Sequence, residues 1–226
     1  MADLAARAPA RRTFTAALRP ERIADNLARV RERIAAAGAD PARVEVCAAI
    51  KYVPAGELPA LAEAGVELVG ENRAQELAAK QSAHRDLFAW DFIGALQSRR
   101  VRDLAGRVRV VHSLASRSAL RQLACHPVPE ALIEVNVAGE EGKAGIPPRE
   151  LGEYLAAAPV AVTGLMTMPP AVADPERSRP HFARLAELAA EHGLKRLSMG
   201  TTQDFEVAVS EGATIVRLGA VLYENA

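Results

Sequence analysis

Lys51 is the residue whose type and setting best suit covalent chemistry. It nearly closes the β-like run VEVCAAIKY at 44–52, in a chain whose basic residues are mostly arginine and whose other lysines are Lys80, Lys143 and Lys195. Strand side chains alternate between faces, so Glu45, Cys47, Ala49 and Lys51 share one face and Val44, Val46, Ala48 and Ile50 the other. The bulky set suits packing against outer helices, while the second set leaves small residues below Lys51. Pro54 then stops the pairing. An amine among low-dielectric walls is biased towards its free, nucleophilic form. That is the chemistry of a Schiff-base lysine. Position alone fits equally a lysine that snorkels to a rim with a structural role.

Two later stretches have the pattern of a phosphate cradle. The first is Leu197-Ser198-Met199-Gly200-Thr201-Thr202, followed by a helix pattern from about Gln203. Thr201 and Asp204 have the spacing of a weak capping box. Backbone N–H groups at a helix start suit a dianion, and Gly200 lets the backbone approach closely. The second stretch is Val216-Arg217-Leu218-Gly219-Ala220, where Gly219 offers another close approach. Arg217 alternates against Val216 and Leu218 and so points inward if they point outward. Each feature is weak alone: Ser-Met-Gly is a common tripeptide, glycines often end strands, and an inward arginine can be an ion-pair partner.

The elements that must position these residues give them weight. Residues 20–37 carry Ile23, Leu27, Val30 and Ile34 at helical spacing, with Pro20 at the start and Gly38 just past the end. Short β-like runs then alternate with helical or polar stretches, at 44–52, 67–72, 90–96, 108–114, 131–137, 160–166, 195–200 and 214–219. Helix candidates between them include 73–85, 148–157, 178–192 and 203–211. Strand alternating with helix means a parallel sheet. Eight such units suggest a closed barrel, where active sites sit at the C-terminal strand ends and phosphates often follow strands seven and eight. The expected architecture is α/β: a single (β/α)8 TIM-type barrel over 19–226 with an extra N-terminal helix, preceded by a flexible arm at 1–18. The Pro-rich stretch 168–180 is a loop within that domain.

Composition narrows the function classes. Lys plus Arg and Asp plus Glu are both 28, and half the residues are hydrophobic. Balanced charge and few aromatics argue against nucleic acid as a partner. No apolar stretch is long enough to span a membrane, and the Ala/Arg-rich N-terminus lacks a signal-type apolar region. Cys47 and Cys125 form no C-x-x-C pair and are read as reduced thiols in a cytoplasmic protein. The histidines have no ligand spacing, so no metal site is expected. His112 is placed near the barrel mouth at the end of strand four, more as a hydrogen-bonded structural residue than a cavity wall. Ser113 and Ser198 show no His/Asp scheme, which excludes a serine hydrolase. Glu140, Glu141 and Lys143 read as a solvated loop, and Met166 and Met168 as packing residues at the site.

With these residues in hand, the chain resembles the pyridoxal phosphate homeostasis protein family, whose barrel is similar to the N-terminal domain of alanine racemase. The motifs run in order: AAIKYVP (48–54), GENRAQEL (70–77), FIGALQSRR (92–100), VHSL (111–114), EVNVAGEEGKAGI (134–146), GLMTMPP (164–170), LSMGTTQDFEVAV (197–209) and VRLG (216–219). The resemblance implies pyridoxal 5′-phosphate (PLP) as cofactor, joined to Lys51 as a Schiff base. It implies Ser198, Gly200, Gly219 and Ala220 around the phosphate, with the N–H of Met199 as an addition. It implies Arg217 facing the pyridine nitrogen and Asn72 near the ring. The chain departs from the family in Tyr52-Val53 after the lysine, in Thr201-Thr202, in Ala220 and in Tyr223-Glu224.

An arginine opposite the ring nitrogen disfavours its protonation and makes the ring a poorer electron sink. This fits a carrier better than a catalyst, and the resemblance implies an intracellular PLP-homeostasis protein without robust catalysis, so no catalytic residue is assigned. A low-activity amino-acid racemase is the alternative, and an aldolase-type barrel using Lys51 without PLP a third. Racemisation needs a second acid/base group, and none is evident in the sequence. The chain ends too soon for the second domain of alanine racemase. A monomer is therefore expected, in the cytoplasm as the cysteines suggest, with apo forms of PLP-dependent enzymes as candidate partners and neither nucleic acid nor membrane. Lys143 matches a family position and is a secondary candidate.

Overall fold

The computed structural model describes residues 17–226. The first sixteen residues of the expected N-terminal arm lie outside that range. The arm's last residue, Leu18, is buried, and its N–H donates to Glu57 Oε2 at 2.7 Å, so packing has begun by that point.

Helix α1 (Pro20–Ala36) forms as its spacing predicts. Proline at the first helical position lacks an N–H the helix would not have used, and Gly38 leaves the end at φ +90°. Ile23, Leu27, Val30 and Ile34 form its buried stripe. Each is worth about 1.5–3 kcal/mol when buried. Asn26 on the same stripe donates to the carbonyls of Leu222 and Glu224, both at 3.0 Å, and so ties this helix to the C-terminus.

Eight strands follow: β1 (Glu45–Ala49), β2 (Leu68–Glu71), β3 (Ala89–Phe92), β4 (Val110–Leu114), β5 (Glu130–Glu134), β6 (Ala161–Met166), β7 (Arg196–Thr201) and β8 (Ile215–Leu218). They pair in sequence order, all parallel, and β8 returns to β1 to close the barrel. Between them lie α2 (Leu58–Glu63), α3 (Ala74–His84), α4 (Val101–Leu104), α5 (Arg117–Cys125), α6 (Leu151–Ala157), α7 (Arg179–Glu191) and α8 (Phe205–Ser210), with α9 (Ala220–Tyr223) after β8. All eight predicted strands are present, and the architecture is the expected TIM-type barrel with an added N-terminal helix.

The expected alternation holds. Val46, Ala48 and Ile50 belong to the large outer cluster packed under the helices, while Cys47 belongs to a small inner cluster with Leu68, Val110, Leu132, Met166 and Ile215. The floor of the barrel is ionic. Arg109 donates to both Glu45 and Asp91, and Arg196 to Glu45 and Glu130.

One boundary differs from expectation. Helix α8 starts at Phe205, not near Gln203, because Asp204 folds back: its Oδ1 accepts from the N–H of Thr201 at 2.7 Å and from its hydroxyl at 3.0 Å. The reach-back half of the predicted box exists, but it makes a turn before the helix. Among the described residues no helix is long and apolar enough to cross a membrane.

Candidate functional site

A cavity of about 750 Å³ opens at the C-terminal ends of the strands, where the sequence located the site. Lys51, Asn72, Arg217, Gly219 and Ala220 all line it. The remaining wall is largely apolar, from Ile93, Met166 and Met168, with Tyr52 at the rim.

Lys51 lies in the turn just past β1. The N–H of the preceding residue, Ile50, still donates across to Gly70 O on β2 at 3.0 Å, and Val53 N–H then closes the turn onto Ile50 O at 2.9 Å. Lys51 is exposed, so the apolar enclosure expected from the sequence does not surround its ammonium. What does hold the group is the Tyr52 ring, whose centroid is 5.0 Å from Nζ. Below it the inner face is small and tight: a Cβ on Gly70 would meet Cys47 Sγ and Ile93 Cδ1 at 2.7 Å.

The base of Lys51 is held by a buried ion pair that sequence reasoning missed. Lys80 Nζ donates to Glu71 Oε2 at 2.5 Å and to Ile50 O at 2.7 Å, and Glu71 Oε1 accepts from Asn72 N–H at 2.7 Å. One pair therefore ties the exits of β1 and β2, which carry Lys51 and Asn72. The two residues are nine apart across a strand–helix turn, a spacing with no helical or strand signature.

Arg217 is inward, as its alternation predicts, and only its rim faces the cavity. Nη1 donates to Ser198 O at 2.8 Å and to Ser198 Oγ at 2.5 Å; Nη2 donates to Thr167 O at 3.0 Å and Met168 Sδ at 2.8 Å. Burial depresses the guanidinium's pKa, against Cys47, Glu134 and Asp204, which favour the charge. Arginine stays cationic regardless.

Ser198, Met199 and Gly200 stand behind the cavity wall. Met199 is buried in the outer cluster under the helices. Gly200 has φ +89°, and a Cβ there would come within 2.6 Å of Ala208 Cβ and 2.9 Å of Phe205 Cα, so glycine is needed to seat α8. Ser198 is fully buried. The cavity wall nearby comes instead from Thr201, Thr202 and Gln203. Thr202 Oγ1 accepts long bonds from the N–H groups of Gly219 (3.4 Å) and Val221 (3.5 Å), which draws the two loops together.

The expectation that Ser198 has no His/Asp partners is corrected. His112 sits in the middle of β4, not at the mouth, and is fully buried. Its Nδ1 is 2.9 Å from Ser198 Oγ and its Nε2 3.0 Å from Asp91 Oδ2. The serine is sealed from the cavity and accepts from Arg217, so the array has no means of attacking a substrate. The residues come from β3, β4 and β7, a juxtaposition that only barrel closure creates. Burial drives Asp91 up, yet hydrogen bonds from His112 and Arg109 outweigh it and hold the carboxyl below its ordinary range.

Glu134 is the second residue that was missed. It ends β5, is 6 % exposed and lines the cavity, and no described residue hydrogen-bonds its carboxyl group. Burial raises its pKa against the pull of Arg217. Counting alternation along Ala131–Glu134 would have put it inward with Leu132. The Glu140/Lys143 loop is partly exposed, as a solvated loop should be, and the structure adds an ion pair within it, with Nζ–Oε2 at 3.0 Å. Among the described residues no cluster could hold a metal ion.

Taken as a donor set, the cavity pairs an amine (Lys51), a cation (Arg217), backbone N–H groups near Gly219–Ala220, threonine hydroxyls and apolar walls. These suit a flat aromatic aldehyde bearing a dianion. Residues 18–225 match the alanine racemase N-terminal domain family. The pyridoxal phosphate homeostasis protein of Aquifex aeolicus is 43 % identical over 219 residues, covering 88 % of this chain and 96 % of its own. The protein of the same name from Escherichia coli K12 is 32 % identical over 225 residues, with 89 % and 95 % covered. The structure of PipY from Synechococcus elongatus with PLP bound is 30 % identical, covers 89 % of this chain and 99 % of its own, and superposes with a TM-score of 0.76. Alanine racemase from Corynebacterium glutamicum, at 19 % identity and TM-score 0.65, shares the fold.

Proposed function

This chain belongs to the pyridoxal phosphate homeostasis protein family, within the wider alanine racemase N-terminal domain family, and on that premise we propose that it binds PLP at Lys51 and serves intracellular PLP homeostasis. The observation that carries the reading is the convergence of Lys51, Asn72, Arg217, Gly219 and Ala220 on one cavity. Lys51, whose amine lines the cavity, would hold the cofactor through its aldehyde carbon. The backbone N–H groups of Ala220 and Gly219, the latter in only a 3.4 Å bond to Thr202, would hold the phosphate end with the Thr202 hydroxyl beside them, while Ser198, Met199 and Gly200 would shape that end from behind. Arg217 would lie against the pyridine nitrogen, and Asn72 beside the ring.

When bound, the cofactor supplies an electrophilic carbonyl and an electron-accepting ring. Arg217 weakens the second property by disfavouring protonation of the ring nitrogen. The protein is on this reading a carrier or regulator in the cytoplasm, a monomer, with apo PLP-dependent enzymes as partners. PipY with PLP bound supports the cofactor. The test is an absorbance spectrum: the wild-type protein is yellow and the Lys51→Ala variant colourless. A wild type that takes up no added PLP refutes the reading.

One observation favours a second reading, a low-activity amino-acid racemase. Glu134 ends β5, four strands from β1 in the closed eight-strand order, and lines the same cavity as Lys51, which follows β1, so a carboxyl group and the amine share one site. Incubation of the PLP-loaded protein with L-alanine distinguishes the two. D-alanine above background, abolished by Glu134→Gln, selects the racemase.

A further inference from the structure

We propose that Ser198 and His112 are positioning residues for Arg217, links in a one-way hydrogen-bond chain anchored on Asp91, and that Ser198 does not touch the cofactor phosphate. The proposal rests on the cofactor reading above for what Arg217 faces. The chain itself follows from the donors and acceptors alone.

Arginine only donates. The 2.5 Å contact from Arg217 Nη1 therefore makes Ser198 Oγ an acceptor, and the hydroxyl's own proton is directed elsewhere. The acceptor it meets is His112 Nδ1 at 2.9 Å. If Nδ1 accepts, the neutral ring carries its proton on Nε2, which donates to Asp91 Oδ2 at 3.0 Å. Asp91, as a carboxylate, accepts there and from Arg109 Nε at 3.1 Å and Nη2 at 2.8 Å. Every donor points towards Asp91. The opposite tautomer would set the bare Nε2 lone pair against a carboxylate oxygen and leave the serine proton without an acceptor. Both are costly where water is absent.

The charges around the ring agree. His112 is fully buried, with Asp91 on β3, Arg217 on β8 and Arg196 on β7 as the charged groups acting on it. Burial lowers its pKa, Asp91 opposes this, and the two arginines add to the depression. A neutral imidazole is what the chain requires.

The consequence falls on Arg217. Ser198 fixes Nη1, while Thr167 O and Met168 Sδ fix Nη2. Nε–H is then the guanidinium donor that no described residue accepts, in a side chain that lines the cavity. Asp91, His112 and Ser198 line no part of that cavity.

Two measurements test this. First, nitrogen-15 NMR of the wild-type protein without added ligand should show His112 as a neutral ring protonated at Nε2 near pH 7. A ring protonated at Nδ1, or at both nitrogens, overturns the chain. Second, affinities of wild type, Ser198→Ala, His112→Asn and His112→Gln are compared for PLP and for pyridoxal, which lacks the phosphate. Loss of a hydrogen bond to a charged group predicts about tenfold or more weaker binding. Ser198→Ala should weaken both ligands by the same factor, and adding it to Arg217→Lys should cost little more. His112→Asn, which retains an acceptor near the Nδ1 position, should lose less than His112→Gln. A loss for PLP with pyridoxal unchanged makes Ser198 a phosphate ligand and refutes the proposal. A wild type that binds neither compound sinks the cofactor reading instead, and the tautomer then decides the chain by itself.

Discussion

Replacing Lys80 with methionine should be among the most damaging single changes outside the cavity. Lys80 is 5 % exposed along its side chain and its partner Glu71 is fully buried, with Nζ 2.5 Å from the carboxylate. Methionine fills much of the same volume but leaves Glu71 with only the Asn72 N–H, and it takes one donor from Ile50 O. Removing one partner of a buried pair costs about 3–5 kcal/mol, because the remaining charge has no compensation. In a domain of this size about 1 kcal/mol moves Tm by ~2–4 °C, so the expected fall is about 6–20 °C. The assay is thermal and denaturant unfolding of wild type, Lys80→Met, Glu71→Met and the double variant. The double variant removes both charges and should recover much of the loss. Since Ile50 O precedes Lys51, PLP uptake by Lys80→Met should also weaken at temperatures where it remains folded. A single variant within about 1 kcal/mol of wild type, or a double variant less stable than Lys80→Met, would refute the reasoning.

Other changes give separable outcomes. Glu134 has a folded-state pKa above its unfolded value, so the folded form binds more protons and the penalty for ionising it grows as pH rises through the folded value. Glu134→Gln should therefore melt higher than wild type at pH 8, with the gap shrinking as pH falls towards 4.5; a gap independent of pH would contradict the burial argument. Asp91 is the reverse case. Its depressed pKa contributes stability above its unfolded value that is lost as pH falls through the folded one, so Asp91→Asn should flatten the acid limb of the stability curve, measured by urea melts from pH 3 to pH 6. Gly200→Ala forces a Cβ into α8 at φ +89° and should cost about 1–3 kcal/mol by overpacking and strain, while Gly193→Ala, with open space around it, should cost less in the same unfolding assay.

The barrel was legible because its rules are local. Eight β-like runs, each followed by turn or helix signals, fix a parallel closed sheet without any knowledge of which strand touches which. The same alternation that placed Arg217 inward would have placed Glu134 inward; it opens the motif EVNVAGEEGKAGI, but the resemblance assigned it no role and the inward count was not carried along that strand. Short pieces such as α4 (Val101–Leu104) carry too few residues to show a period. Ser198 and His112 were singled out one by one, but their meeting with Asp91 was beyond reach for a different reason. Asp91, His112 and Ser198 are separated along the chain by 21 and 86 residues and meet only when β3, β4 and β7 close around one core. Lys51 was found by position, but its exposure was misjudged, since the strand ends at Ala49 and the chain has already turned outward.

The central claim is a covalent attachment at one named amine. Borohydride reduction of the PLP-loaded protein, followed by peptide mass spectrometry, tests it most directly. The account predicts a phosphopyridoxyl group on Lys51, with Lys80, Lys143 and Lys195 unmodified. An adduct spread over the lysines, or one confined to a lysine other than Lys51, would contradict it.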